Sequence, residues 1–238
     1  MTKRLLVAVM VVGLSTAGCG TARVVPPSAG MEGASAPKKV EAYLFHVLSR
    51  LKQADAHGTG GVLSVRLEID PSVEAMAHPR AGGSAADISI TTGFLNTLES
   101  EAELAAVLAH EYAHLREGHG LPRAAGEGEI PFGEAMSRGG EKLAWDRKVI
   151  RAADEQEADR VALDLLARAG YRPEALLAVV ERLVVLGEIV PEPRRTILRS
   201  RLGGRDASAL GPRAEGRDSY AANVLAPLKT MTPVRTAE

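Results

Sequence analysis

The sequence predicts a mostly helical α+β domain with a small sheet, on three observations. Apolar residues recur at helical spacing in four separate stretches, two short strand-like stretches lie between the first and second of these, and glycine or proline marks the junctions. The 238 residues are 45% hydrophobic and 25% charged, which is enough to bury one sizeable core. Aromatics make up only 3%, so that core is expected to be aliphatic and rich in alanine. The formal net charge of −1 gives no basic footprint, and no nucleic-acid partner is expected.

The chain opens with Lys3 and Arg4, an apolar run from Leu5 to Leu14, and the small residues Ser15, Thr16, Ala17 and Gly18 before Cys19. A charged start, a short apolar run and a small-residue exit describe a secretory signal over residues 1–18, and the run is too short to span a membrane. Cys19 is the only cysteine, so an intramolecular disulfide is impossible. Thr16-Ala17-Gly18-Cys19 resembles the bacterial lipobox, although Thr16 stands where that motif usually has Leu. The resemblance implies acylation of Cys19 and attachment to the membrane through an N-terminal lipid. Gly20 follows the cysteine where Asp would resemble an inner-membrane retention signal, which favours the outer membrane, facing the periplasm. The alternative is ordinary cleavage, leaving a soluble periplasmic protein with a free thiol. Residues 19–37, rich in Pro, Gly, Ala and Ser, read as a flexible tether.

The folded domain is expected over 38–190. Lys38 to Ala54 places Val40, Leu44, Val47, Leu48 and Leu51 at helical spacing, and Gly58 to Gly61 ends the pattern. Val62 to Ile69 and Asp87 to Thr92 carry β-branched residues and partial alternation, so each predicts a strand. A short helical piece follows from Gly93 to Leu98. Ser100 and Glu103 have the form of a capping box, which starts a helix at Glu101 that runs toward Gly118. Gly118 to Gly140 holds seven Gly and two Pro and reads as an irregular connection. Glu141 to Ala169 predicts the next helix, closed by Gly170, and Pro173 opens another that carries Leu176, Leu177, Val180, Leu183 and Val184. From 191 to 238 the composition turns to Arg, Gly, Ser and Ala. One short helix around Ile197, Leu198 and Leu202 is expected there, within a C-terminal cover or weakly structured tail.

The chemistry is concentrated in His110-Glu111-Tyr112-Ala113-His114. Four residues make about one helical turn, so the two imidazoles share a face with Cβ atoms about 5–6 Å apart. Both can therefore reach one zinc ion at about 2.0–2.1 Å. Glu111 lies about 100° further round the helix, clear of the metal but within reach of a water held on it. It is the expected catalytic base, taking the proton as hydroxide attacks a peptide carbonyl.

Catalytic zinc usually takes three protein ligands, and a third is expected from Glu155 to Asp159, EQEAD. Glu155 and Asp159 share a helical stripe with Ala152, Ala162 and Leu166, which suits an inward face. Glu157 falls with Asp154, Arg160 and Asp164 on a face that reads as solvent. Glu155 is thus the expected ligand. Asp159, one turn on, is expected to accept a hydrogen bond from the distal nitrogen of a ligand His and fix its tautomer. A metzincin would need a third His at position 120, which is Gly; His119 falls one short and reads as a helix-terminal residue set against the dipole. His46, His57 and His78 lack partners at ligand spacing and read as structural or surface residues. Ile88 to Thr92 is placed to be the strand that pairs with substrate beside the motif helix, as in zincins, or a plain sheet strand.

HEYAH, then EQEAD, then the AGYRPEALL turn and helix resemble the HtpX-like and CAAX prenyl endopeptidase family of zinc metallopeptidases, in particular its small periplasmic lipoprotein type. The resemblance covers about Gly82 to Leu186. It implies a zincin-like fold of the gluzincin kind, one zinc ion per chain, the first Glu of the second motif as third ligand and its Asp behind a ligand. This matches the face argument for Glu155 and Asp159. Members often carry a His-Pro segment followed by Arg near the carboxyl end, whereas here no His follows His119 and only Thr232-Pro233-Val234-Arg235 echoes it. The oxyanion-stabilising group is therefore open among Arg217, Tyr220 and Asn223. The expected function is endoproteolysis of misfolded or stalled cell-envelope proteins. The alternative is a non-catalytic assembly or chaperone-like outer-membrane lipoprotein whose metal is structural.

Overall fold

The computed structural model describes residues 33–57, 62–79, 85–119, 152–188, 190, 192–203 and 215–231. The expected signal segment, Cys19, most of the tether, the connection from Gly120 to Gly140 and the Thr232-to-Arg235 echo lie outside these residues.

Helix α1, Ala36–Ala54, starts with a proline in its first turn, where the missing N–H costs nothing, and buries Val40, Tyr43, Leu44, Val47, Leu48 and Leu51. Each such aliphatic side chain contributes about 1.5–3 kcal/mol by leaving water. Strands β1 (Val62–Glu68), β2 (Ala75–Pro79) and β3 (Ala85–Thr91) form a sheet of order β1-β3-β2. β3 pairs parallel with β1, Val65 opposite Ile88, and antiparallel with β2, Ala77 opposite Ile88. Ile88 and Ile90 are fully buried on one face, with Asp87 and Ser89 alternating to the other.

Two expectations change here. β2 carries no β-branched residue and was not anticipated, and the strand proposed to meet substrate, Ile88 to Thr92, lies largely in β3, which is central. Its backbone is paired on both sides, so it cannot receive another strand. Among the described residues, the sheet edges are β1 and β2.

Thr91 caps the short helix α2, Thr92–Thr97, by accepting from Phe94 N–H. Ser100 caps α3, Glu101–Glu117, accepting from Glu103 N–H at 3.2 Å, while the Glu103 carboxylate takes Glu99 N–H at 2.7 Å. The capping box is thus present with its return bond shifted one residue outward. α3 is buried along its length, with Ala102, Ala105, Ala106, Ala109 and Ala113 at 0–2% exposure. A helix buried on nearly every side belongs in the middle of a domain. The alanines let α4, Ala152–Arg168, approach with its own buried Ala158 and Ala162.

α5 (Glu174–Val185) and α6 (Glu192–Gly203) follow, and α7 runs from Arg217 to Lys229 with a π turn at Ala221–Leu225. The stretch expected as a cover is therefore helical in its described parts. Tyr220 and Val224 of α7 are fully buried and join the core.

The core is aliphatic and alanine-rich as composition implied, but all four tyrosines also enter it. Each hydroxyl finds an acceptor: Tyr43 and Tyr171 on Glu101, Tyr112 on Asp55, and Tyr220 on the Leu95 carbonyl.

Candidate metal centre

α3 and α4 pack side by side and bring the two sequence motifs together. His110 Nε2 lies 3.1 Å from His114 Nε2, and the Glu155 carboxylate lies 3.3 Å from the first and 3.5 Å from the second. A tetrahedral ion with bonds of about 2.0–2.1 Å has ligand atoms about 3.3 Å apart. Three separations of that size make the His110, His114 and Glu155 set fit one zinc ion, and these residues are the metal-ligating group found among the described residues. Two imidazoles and one carboxylate also match the donor preference of zinc, and leave a fourth position.

Asp159 occupies its expected place, its carboxylate 3.0 Å from His110 Nδ1. Accepting from Nδ1–H, it directs the Nε2 lone pair toward the ligand set.

Arg194, on α6, was not anticipated. It grips Asp159 through Nε at 2.9 Å and Nη2 at 2.8 Å, and reaches Glu155 with Nη1 at 3.0 Å. One planar guanidinium thus spans the Glu155 and Asp159 carboxylates of the second motif. Nothing local in the Arg-rich α6 distinguishes Arg194 from Arg195, Arg199 or Arg201; only the packing of α6 selects it.

The charges are strongly coupled. Burial and the Arg194 charge push the His110 imidazolium down, but hydrogen bonds to Asp159 and Glu155 outweigh them and hold His110 up at about 9. Burial pushes Glu155 up, yet its hydrogen bonds to His110 and His114 hold it well below the carboxylate range. Asp159 is likewise lowered, burial being outweighed by the hydrogen bond to His110. Glu111 behaves in the opposite way: desolvation raises it against the pull of His110 and His114, and Ala77 N–H of β2 donates to its carboxylate. β2 therefore runs beside α3 at the position expected to do the chemistry.

His119 stands directly after the end of α3, as a helix-terminal residue should, but it is buried. Gly118 has φ 69°, its N–H bonds to Leu115 O and His119 N–H bonds to His114 O, a pair of bonds that folds His119 back under the last turn. Its buried ring faces His114, and Asp154, expected on a solvent face, is buried beside it at 3.9 Å. The three oxyanion candidates do not reach the centre. Arg217 is exposed and pairs with Glu215, the Tyr220 hydroxyl is committed to Leu95 O, and Asn223 donates to Ser219 O. Arg217–Tyr220 pack against α3, and the neighbouring Glu215 carbonyl accepts from Ala102 N–H in the first turn of α3, about 12 Å along the helix from His110 at 1.5 Å per residue.

A buried helix bearing two imidazoles and an intervening carboxylate, with a glutamate from the next helix closing the set, is an arrangement of the gluzincin type. Residues 38–132 match the model of Peptidase family M48. The chain is 32% identical over 162 residues to the mitochondrial metalloendopeptidase OMA1 of Arabidopsis thaliana, covering 58% of this chain and 30% of that protein. It is 31% identical over 121 residues to the beta-barrel assembly-enhancing protease of Yersinia pestis, covering 42% of this chain and 25% of that protein. The chain thus matches less than a third of the length of either relative.

Proposed function

We propose that this protein is a zinc-dependent endopeptidase in which Glu111 is the base. The observation that carries the reading is the convergence of His110, His114 and Glu155 at tetrahedral spacing with a desolvated carboxylate on the adjoining helix position. Bound there, zinc would act as a Lewis acid that brings the pKa of water to about 7. Glu111 accepts the proton of the attacking water and returns it to the leaving amine. Its raised affinity for a proton suits both halves of that transfer. Asp159 and Arg194 hold the ligand carboxylate and imidazole in register, so little reorganisation remains for the reaction.

The peptide would lie along β2 rather than β3. Among the described residues β2 is an edge strand, it borders Glu111 through Ala77, and an extended substrate can extend the sheet there by backbone pairing.

For the substrate class we propose misfolded or stalled cell-envelope proteins, with the chain held to the outer membrane by lipid on Cys19. The signal-like start, the lipobox-like Thr16-to-Cys19 segment and the likeness to a protease named for β-barrel assembly support this. Palmitate labelling that is present in the wild type and absent in Cys19→Ala is the expected result; an unlabelled mature wild type would leave the soluble periplasmic alternative.

The deciding test is Glu111→Gln in the purified mature chain with an unfolded test protein such as casein. It should keep one zinc per chain and lose cleavage by about 10²- to 10⁴-fold. Equal cleavage would remove Glu111 from the mechanism. Full rescue of an envelope-stress phenotype by the same variant would favour the non-catalytic assembly reading.

A further inference from the structure

We propose that His119 is a positioning residue for the metal centre, the middle member of a hydrogen-bonded relay that runs from His114 through His119 to Glu157 and fixes which nitrogen of His114 faces the metal. The proposal rests on the zinc-binding reading of His110, His114 and Glu155.

Each ligand imidazole has one nitrogen in the ligand set and one pointing away. For His110 the outer nitrogen meets Asp159 directly. For His114 the outer Nδ1 lies 3.1 Å from His119 Nδ1, with the two rings at 69° and their centroids 5.1 Å apart. Two like nitrogens at that distance are compatible with one shared proton only.

The direction of the bond follows from His114. With Nε2 free to give its lone pair to a metal, His114 carries its proton on Nδ1 and donates it to His119 Nδ1. His119 then keeps its own proton on Nε2, which points at Glu157 Oε2 at 3.4 Å and toward Asp154 Oδ1 at 3.9 Å. An acceptor at the far end is what this tautomer of His119 needs. The two ligand histidines are thus held by different devices, one by a carboxylate on α4 and the other by an imidazole that hands its far proton to the same helix.

The backbone supplies the placement. Gly118 in the left-handed region reverses the chain directly after α3, so the side chain of His119 packs under the turn that bears His114 and is wholly withdrawn from solvent. A residue that served only to fill space here would have no use for a polar ring aligned at both nitrogens.

The test measures zinc affinity by chelator competition on the full mature chain, and the visible spectrum of the cobalt-substituted protein. His119→Leu fills the volume and removes the acceptor; zinc binding should weaken by about 10- to 100-fold with a changed cobalt spectrum. His119→Asn places an amide oxygen near the Nδ1 position and should recover most of that loss. Glu157→Ala, at a half-exposed carboxylate, should weaken zinc binding severalfold. Wild-type affinity and spectrum in His119→Leu, or no recovery in His119→Asn, would overturn the relay. Should His119→Leu fail to fold, unchanged zinc affinity in Glu157→Ala overturns it instead. A wild-type chain that takes up no zinc would defeat the functional reading, a separate result.

Discussion

Helix α3 carries a buried polar cluster toward each of its ends, and the two differ in how their lone pairs are used. At the N-terminal end, Glu101 accepts from Tyr43, from Tyr171 at 2.7 Å and from Arg50 at 2.8 Å, beside the positive end of the helix dipole. Every strong acceptor there already has a donor. Toward the C-terminal end, the two Nε2 atoms and the Glu155 carboxylate point at one another within 3.5 Å. Both clusters are buried and charged, so burial alone says nothing about which is the working site. What separates them is convergence: saturated groups lock a fold, whereas acceptors aimed at a common point call for a cation.

Variants can break the comparison from either side. The largest effect is expected from Glu155→Ala, which should weaken zinc binding on the order of a thousandfold, since a zinc site of about 10–16 kcal/mol loses one of its few ligands. Equilibrium dialysis with metal analysis measures it. The matching change in the saturated cluster, Glu101→Ala, should leave zinc binding intact but cost about 3–5 kcal/mol in urea unfolding, because Arg50 and two tyrosine hydroxyls lose their partner.

Arg194→Ala comes next. It strips Asp159 and Glu155 of their shared cation, so the metal-free protein should lose thermal stability more than the zinc-loaded one does. The increase in Tm on adding zinc should therefore widen; an unchanged increase would mean that Arg194 does not bear on the ligand carboxylates. The smallest effect is expected for Tyr171→Phe, which removes one of the donors to Glu101 and should cost about 1 kcal/mol with zinc affinity unaltered.

The parts of this arrangement that were legible in the sequence are those set by helix periodicity. His110 and His114 one turn apart, and Glu155 with Asp159 on the inward stripe of α4, follow from 3.6 residues per turn. The parts that were not legible depend on packing between distant elements. Ala75-Met76-Ala77-His78-Pro79 has no β-branched residue and ends in proline, so β2 is a strand only because β3 offers it a partner. Arg194 is one arginine among several, aimed by the docking of α6. Tyr220 was considered for its hydroxyl chemistry, yet the hydroxyl is used to pin α7 to the Leu95 carbonyl. His119 was legible as a helix-terminal residue, and its burial against His114 was within reach too: a glycine closing a helix in the left-handed conformation turns the following residue back onto the last turn.

The row of alanines along α3 has a consequence for motion. With Ala102, Ala105, Ala106, Ala109 and Ala113 sealed against their neighbours at 0–2% exposure, the helix has no slack in which to roll or slide. Its backbone amides should be among the slowest in the molecule to exchange with deuterated solvent, and should remain so after treatment with a chelator. Any widening that admits a peptide must then come from the surrounding segments, with the two imidazoles standing still while their neighbours are rearranged about them.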